Sequence, residues 1–201
     1  MIYDGHAYCF PPPSQNAGFA DPAEFWRHLQ LFMAWARQQP CWRKRDREPA
    51  DAKGLYDASG PLGFDGLKDA HFRIGEHGLV EWTVEGEEYV KQALPPWIVD
   101  FAYPADSLIA EMDYAGVDRA LLHRTPYMGT SNDFIADCCR RYPGRIEGLA
   151  YVEEWRLPAE MDTCIAKLYR AINELGLVGL QFMPFHRSLY GLSDDWDGPA
   201  F

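Results

Sequence analysis

Apolar residues recur along this chain in two rhythms, and the change from one to the other divides it into elements. The opening stretch, MIYDGHAYCFPPP, suits an extended chain through Ile2, Tyr3, Tyr8, Cys9 and Phe10, and Pro11 to Pro13 cannot continue it as a paired strand. Within it Asp4, His6 and Tyr8 stand two apart, a spacing that predicts all three on one side of the strand. Asp21-Pro22-Ala23-Glu24 then reads as a helix start, with Asp21 as cap, Pro22 at the first helical position and Glu24 reaching back. The predicted helix runs to about Gln38. Phe25, Leu29, Phe32 and Ala36 form one face at a period of 3.6, widened by Trp26, Met33 and Trp35.

From Ala70 to Leu94 the period is two. Phe72 and Ile74, then Val80, Trp82 and Val84, then Glu87 to Ala93 predict a small antiparallel meander with turns at Glu76-His77-Gly78 and Glu85-Gly86. After Pro104 the helical period returns in three units. Ala105 to Ala115, with Leu108, Met112 and Ala115 inward and Gly116 as its stop, precedes the strand Val117 to His123. Ser131 to Tyr142, capped by Ser131 or Thr130 and burying Ile135, Cys138 and Tyr142, precedes Ile146 to Val152. Pro158 to Leu175, burying Met161, Ile165, Leu168 and Ile172, precedes Val178 to Met183. Such alternation, with strands that do not strictly alternate, predicts an α/β fold with a parallel sheet covered by helices, either doubly wound or a (β/α) barrel.

Composition narrows the partners. Thirty acidic against 19 basic residues, a net charge of −11, oppose the positive footprint of a nucleic-acid binder or of a protein held on an anionic membrane. Five cysteines, Cys9, Cys41, Cys138, Cys139 and Cys164, are odd in number and show no C-x-x-C spacing, so neither a disulfide framework nor a zinc cluster is indicated, and a cytoplasmic setting fits. No apolar run approaches a membrane span. Between Pro40 and Leu67 the composition is that of a loop, in which Arg43, Lys44, Arg45 and Arg47 stand out as a solvated segment or as a flap whose arginines help hold a carboxylate substrate or a partner.

The segments Tyr3-Asp4-Gly5-His6-Ala7-Tyr8, SLIAEMDYAGVDRALLH (Ser107 to His123), NDFIADCCRRYPGRIEGLAYV (Asn132 to Val152) and AINELGLVGLQFMP (Ala171 to Pro184) together resemble the amidohydrolase-related family of metal-dependent (β/α)8 barrels. That family includes aromatic-acid decarboxylases and hydrolases of lactones and amides. The resemblance implies a partial TIM barrel of about the first four strands, a single incomplete domain over 1–201, with 19–101 inserted after the first strand as a long helix plus the meander. It implies a divalent metal, zinc or manganese, held by the first strand. The family motif there is Asp-x-His-x-His: His6 matches the first histidine, Tyr8 stands in place of the second, and Asp4 with His6 would be the alternative pair. The later ligands of the family, on its fifth, sixth and eighth strands, have no counterpart before Phe201, so the sequence leads one to expect a truncated chain or one subunit of a split barrel.

Chemistry in such barrels gathers at the C-terminal ends of the strands. That brings His6 and Tyr8, His123 and Arg124, Glu153 and Glu154, and His186 and Arg187 to one rim. The expected roles are His6 and Asp4 at the metal, and Tyr8, His123, His186 and Arg187 at the substrate, with Glu153 and Glu154 solvated and His28 in the core or on the surface of the first helix. The function this implies is hydrolysis of a C–N or C–O bond, or non-oxidative decarboxylation, of a small carboxylic acid. The alternative is a non-catalytic half-barrel subunit acting with a completing chain or a second copy.

Overall fold

Strand β1, Tyr3–Ala7, begins a parallel sheet that takes its other three strands from the second half of the chain. The computed structural model describes residues 1–36, 39–61, 63–183 and 190. After β1 come α1 (Pro22–Trp35) and a second, antiparallel sheet of β2 (Cys41–Arg43), β3 (Arg73–Ile74), β4 (Leu79–Val84) and β5 (Glu87–Gln92). Then α2 (Ala105–Ala115), β6 (Arg119–Leu122), α3 (Asn132–Arg141), β7 (Ile146–Tyr151), α4 (Leu157–Asn173) and β8 (Gly179–Gln181) follow in strict alternation. The parallel sheet has the order β1-β6-β7-β8 and the antiparallel one β2-β5-β4-β3. No helix among the described residues is long and apolar enough to cross a membrane.

The caps behave as their residues dictate. Asp21 accepts from the Glu24 amide at 2.8 Å while the Glu24 carboxylate takes the Ala20 amide, so two otherwise orphaned donors at the start of α1 are satisfied. At the other end Lys91, buried on β5, donates to the carbonyls of Met33 and Ala36. Ser131 accepts from the Phe134 amide at the head of α3, and Gly116 takes the left-handed conformation that closes α2. Glu85 and Gly86 both have positive φ, which makes the β4–β5 connection the two-residue turn the sequence predicts. The loop expected between Pro40 and Leu67 contains a further strand, β2, too short and too charged to carry a visible period.

One face of the parallel sheet carries all three following helices. Ala120 and Leu122 of β6 and Ile146 and Ala150 of β7 pack with Leu108 and Met112 of α2, Ile135 and Cys138 of α3 and Ala171 of α4. α3 lies so close to β7 that a Cβ at Gly148 would sit 2.3 Å from the Ile135 methyl. A doubly wound sheet reverses its strand order and carries helices on both faces; among the described residues neither occurs.

The face of α4 differs from the expectation. Cys164 and Ala171 are buried and Leu168 is half-buried, whereas Ile165 is 55% and Ile172 37% exposed. Both stripes have helical spacing, and the sheet takes the one built of smaller residues. Ala115 and Tyr142, also expected inward, are exposed and half-buried.

Arg124, directly beyond the sheet end of β6, is completely buried without a carboxylate partner within 4 Å among the described residues. Its Nη1 donates to the Cys9 carbonyl at 2.7 Å, its Nη2 to the Met128 carbonyl at 3.3 Å, and its backbone amide to the Gln181 side chain. Burial lowers its pKa to about 10, still leaving it cationic at neutral pH. The guanidinium therefore joins the loops that leave β1 and β6. Arg124→Ala leaves two carbonyls without a donor and should cost about 2–5 kcal/mol. Leu122→Ala should cost about the same through its cavity, while Tyr114→Ala, at 96% exposure, should stay within about 0.5 kcal/mol; urea unfolding of the three variants checks the order.

Candidate functional site

The polar residues at the C-terminal end of the parallel sheet are brought together by a fault in the first strand. Tyr3 pairs with Arg119 and Asp4 with Ala120, but the next partner of β6, Leu122, faces Ala7, so three steps of β1 match two of β6. This bulge interrupts the alternation that would set Asp4 and His6 on one side. Asp4 keeps the helix-facing register of Ala120, and its carboxylate accepts from the His6 backbone amide at 2.9 Å. His6 and Tyr8 lie beyond the bulge on the other face.

There they meet His123. The rings of His6 and His123 are 4.4 Å apart, and His6 Nε2 lies 2.7 Å from the Tyr8 hydroxyl. The tautomer of His123 follows from its partner. Its Nε2 is 2.9 Å from the Gly5 carbonyl, which can only accept, so Nε2 carries the proton and in the neutral ring Nδ1 is bare. Burial lowers the His123 pKa below its ordinary 6.5; the neighbouring His6 lowers it as well, while the Gly5 carbonyl and Asp4 work in the opposite direction. Tyr8 is pushed up to about 12, first by burial and then by Tyr127, against the smaller opposing effects of Gln181 and Arg124. At neutral pH the site holds a neutral imidazole with a free basic nitrogen beside a phenol that keeps its proton. A Cβ on Gly5, the residue between Asp4 and His6, would meet nothing within 4 Å.

Gln181, which the sequence pattern did not single out, completes the rim together with Glu154, which was expected there as a solvated residue. Gln181, the last residue of β8, is 8% exposed, accepts from the Arg124 amide and interacts with the Tyr8 hydroxyl, so it ties β8 to β6 and β1. Its signal is a polar residue ending an apolar strand. Glu154 is completely buried rather than solvated: it accepts from the Tyr151 hydroxyl at 2.5 Å and the Met183 amide at 2.9 Å. Glu153 is also removed from open solvent, in an ion pair with Lys167 at 2.6 Å. Adjacent glutamates look alike in a sequence; only the turn after β7 sends one inward. His28 is buried, the first of its two expected settings, with Nδ1 at 2.6 Å from the Tyr190 hydroxyl and its ring among Phe19, Phe64 and Trp155.

Of the remaining expected residues, His186 and Arg187 lie outside the described residues, and Arg124 is spent on loop carbonyls. The basic segment folds onto the meander, with Arg43 on Asp46 at 2.6 Å, Lys44 on Glu81 at 2.8 Å and Arg45 on Glu87 at 3.1 Å. Lys44 and Arg45 are answered by glutamates of the second sheet, and Arg43 by Asp46 of its own loop. Nor do the described residues by themselves suit a divalent metal. Asp4 is bound to backbone across the bulge, and among the described residues no group of three His, Cys, Asp or Glu side chains is placed to hold an ion.

No family model matches the chain, and no curated protein matches it. Among solved structures, a probable 2-pyrone-4,6-dicarboxylic acid hydrolase from Acinetobacter baumannii, determined with citric acid bound, is similar at a TM-score of 0.36 and 20% identity. The match covers 50% of this chain and 33% of that one, so the chain spans about a third of that neighbour's length. A likeness of this size carries no argument about activity, which has to rest on the chain's own residues.

Proposed function

We propose that the rim formed by His6, Tyr8 and His123 is an acid–base site for hydrolysis of a C–O or C–N bond in a small carboxylic acid. The observation that carries this reading is the pairing of a bare His123 Nδ1 with a proton-bearing Tyr8 hydroxyl on adjacent strand ends. In it His123 Nδ1 takes a proton from the attacking water as the water oxygen bonds to the carbonyl carbon, Tyr8 donates a hydrogen bond to the oxygen on which negative charge develops, and the proton passes from His123 to the departing oxygen or nitrogen as the C–O or C–N bond breaks. His6 holds the Tyr8 hydroxyl in place through Nε2. Arg124 and Gln181 support this from behind, fixing the loops that carry Tyr8 and His123. Substrate carboxylate contacts from His186 and Arg187 belong to the same reading.

Zinc or manganese belongs to this proposal only as an ion bound through His6 with donors beyond the described set. No step of the reaction is assigned to it. Equilibrium dialysis against zinc tests that part separately: retention that is lost in His6→Ala supports it, and equal retention in both proteins counts against it.

The chemistry is tested with a panel of small lactones and amides bearing a carboxylate, followed by proton release. Removing a general base usually costs about 10²–10⁴-fold, so His123→Ala should lose kcat/KM by that order, while Tyr8→Phe should lower kcat more than it raises KM. The rate should be flat around neutrality and fall as pH drops through the lowered His123 pKa, because protonation there removes the base. A profile unchanged in His123→Ala would overturn the assignment.

A further inference from the structure

Behind the rim lies a pair of buried thiols that the chemistry proposed above does not use. Cys9 stands just past the end of β1, Cys138 is on the sheet-facing side of α3, and both belong to the core between the helices and the parallel sheet. Both are free thiols, and their side chains are hydrogen-bonded to each other.

Burial by itself makes a cysteine inert, because it disfavours the thiolate. Beside this pair, however, stands a cation. Arg124 is completely buried with no carboxylate within 4 Å among the described residues. The ionisable groups that act on its guanidinium are, from the strongest, Cys138, Cys9, Tyr151 and Tyr8. Burial pushes both phenols up, so they keep their protons. A thiol is therefore the group able to answer the buried charge. The hydrogen bond from Cys9 is the largest influence on Cys138 and lowers its pKa; Arg124 lowers it as well, against the burial that raises it. The same hydrogen bond, and then burial, push Cys9 up. The pair is thus divided into a more acidic thiol and one that keeps its proton, the division of labour of an attacking and a resolving cysteine.

Geometry sets the other three cysteines aside. Cys139 adjoins Cys138, but consecutive Cα atoms across a trans peptide are about 3.8 Å apart, closer than the roughly 4.4–6.8 Å of an ordinary disulfide. Its Sγ is turned to β7, 3.2 Å from where a Cβ on Gly148 would stand. Cys164 faces the Glu153 carbonyl at 3.9 Å, and Cys41 is in the antiparallel sheet.

We propose that Cys138 and Cys9 are a redox pair in which hydrogen peroxide oxidises Cys138 and Cys9 closes an intramolecular disulfide, tying the segment that leaves β1 to α3. The Cys138 sulfur attacks one peroxide oxygen, the O–O bond breaks, and the other oxygen departs as water with the proton that Cys138 has given up. The Cys9 sulfur then attacks the sulfenic sulfur of Cys138, the S–O bond breaks, and a second water leaves with the Cys9 proton. Together the two sulfurs lose two electrons, and the peroxide gains them. Burial selects a small oxidant, admitted by local opening of the core, and it confines the sulfenic acid so that it meets Cys9 before any thiol from outside. The bond forms at the residue whose carbonyl Arg124 holds, next to Tyr8. Its formation does not depend on the acid–base reading of the rim.

The test treats the reduced full chain with hydrogen peroxide in the absence of denaturant, then unfolds it, alkylates the remaining thiols and maps the peptides. Two of the five thiols should be lost and recovered with dithiothreitol, and the peptides of Cys9 and Cys138 should be joined within one chain. In Cys9→Ser, dimedone should label Cys138 as its sulfenic acid, whereas in Cys138→Ser, Cys9 should stay reduced. Cys139→Ser should form the same bond as the unaltered chain. Oxidation confined to Cys41, Cys139 or Cys164, a bond from Cys9 or Cys138 to any other cysteine, or a pair that reacts only after urea has unfolded the chain would each overturn the inference. The peptide map of the unaltered chain decides the matter even if a variant fails to fold.

Discussion

The rim depends on the burial of one guanidinium. Arg124 has no accessible surface, and a cation taken out of water must find hydrogen-bond acceptors close by or lose its charge. It finds the carbonyls of Cys9 and Met128, in the loops leaving β1 and β6, while its own amide is accepted by Gln181 at the end of β8. Three strand ends are thereby fixed relative to one another by polar contacts that close no regular ladder. Gln181 extends the network to Tyr8, and the His6 and Tyr8 pair extends it to the face where His123 stands. A loop able to relax at any of these points would let Tyr8 and His123 separate.

The period of two and the period of 3.6 make most elements legible. The Glu85-Gly86 turn, the Asp21 and Ser131 caps and the Gly116 stop occur where the residue types require them, because each follows from local backbone chemistry. Three features were not legible, for reasons that are not local. Alternation along β1 fails at a bulge whose cause is the register with β6, so Asp4 leaves the face it was expected to share with His6. Glu154 is buried because the turn after β7 points it at Tyr151 and Met183, and nothing in Glu153-Glu154 distinguishes the two. α4 carries two apolar stripes; periodicity recognises that stripes exist, whereas which one meets the sheet is decided by the close approach of the backbone, which favours Cys164 and Ala171.

These exceptions share a direction. The bulge turns the Asp4 carboxylate to the His6 backbone amide and sets His6 and Tyr8 beside His123. On α4 the stripe expected inward, Ile165 and Ile172, lies toward the outside, because the sheet takes Cys164 and Ala171 instead.

The central claim is that His123 is neutral at physiological pH with its proton on Nε2, held there by the Gly5 carbonyl, leaving Nδ1 as the base. The most direct measurement is a nitrogen-15 and carbon-13 NMR titration of the imidazoles, assigned by His123→Gln. The account predicts an Nε2–H tautomer for His123 and a midpoint below its ordinary 6.5. A midpoint at or above that ordinary value, or a proton on Nδ1, would contradict it.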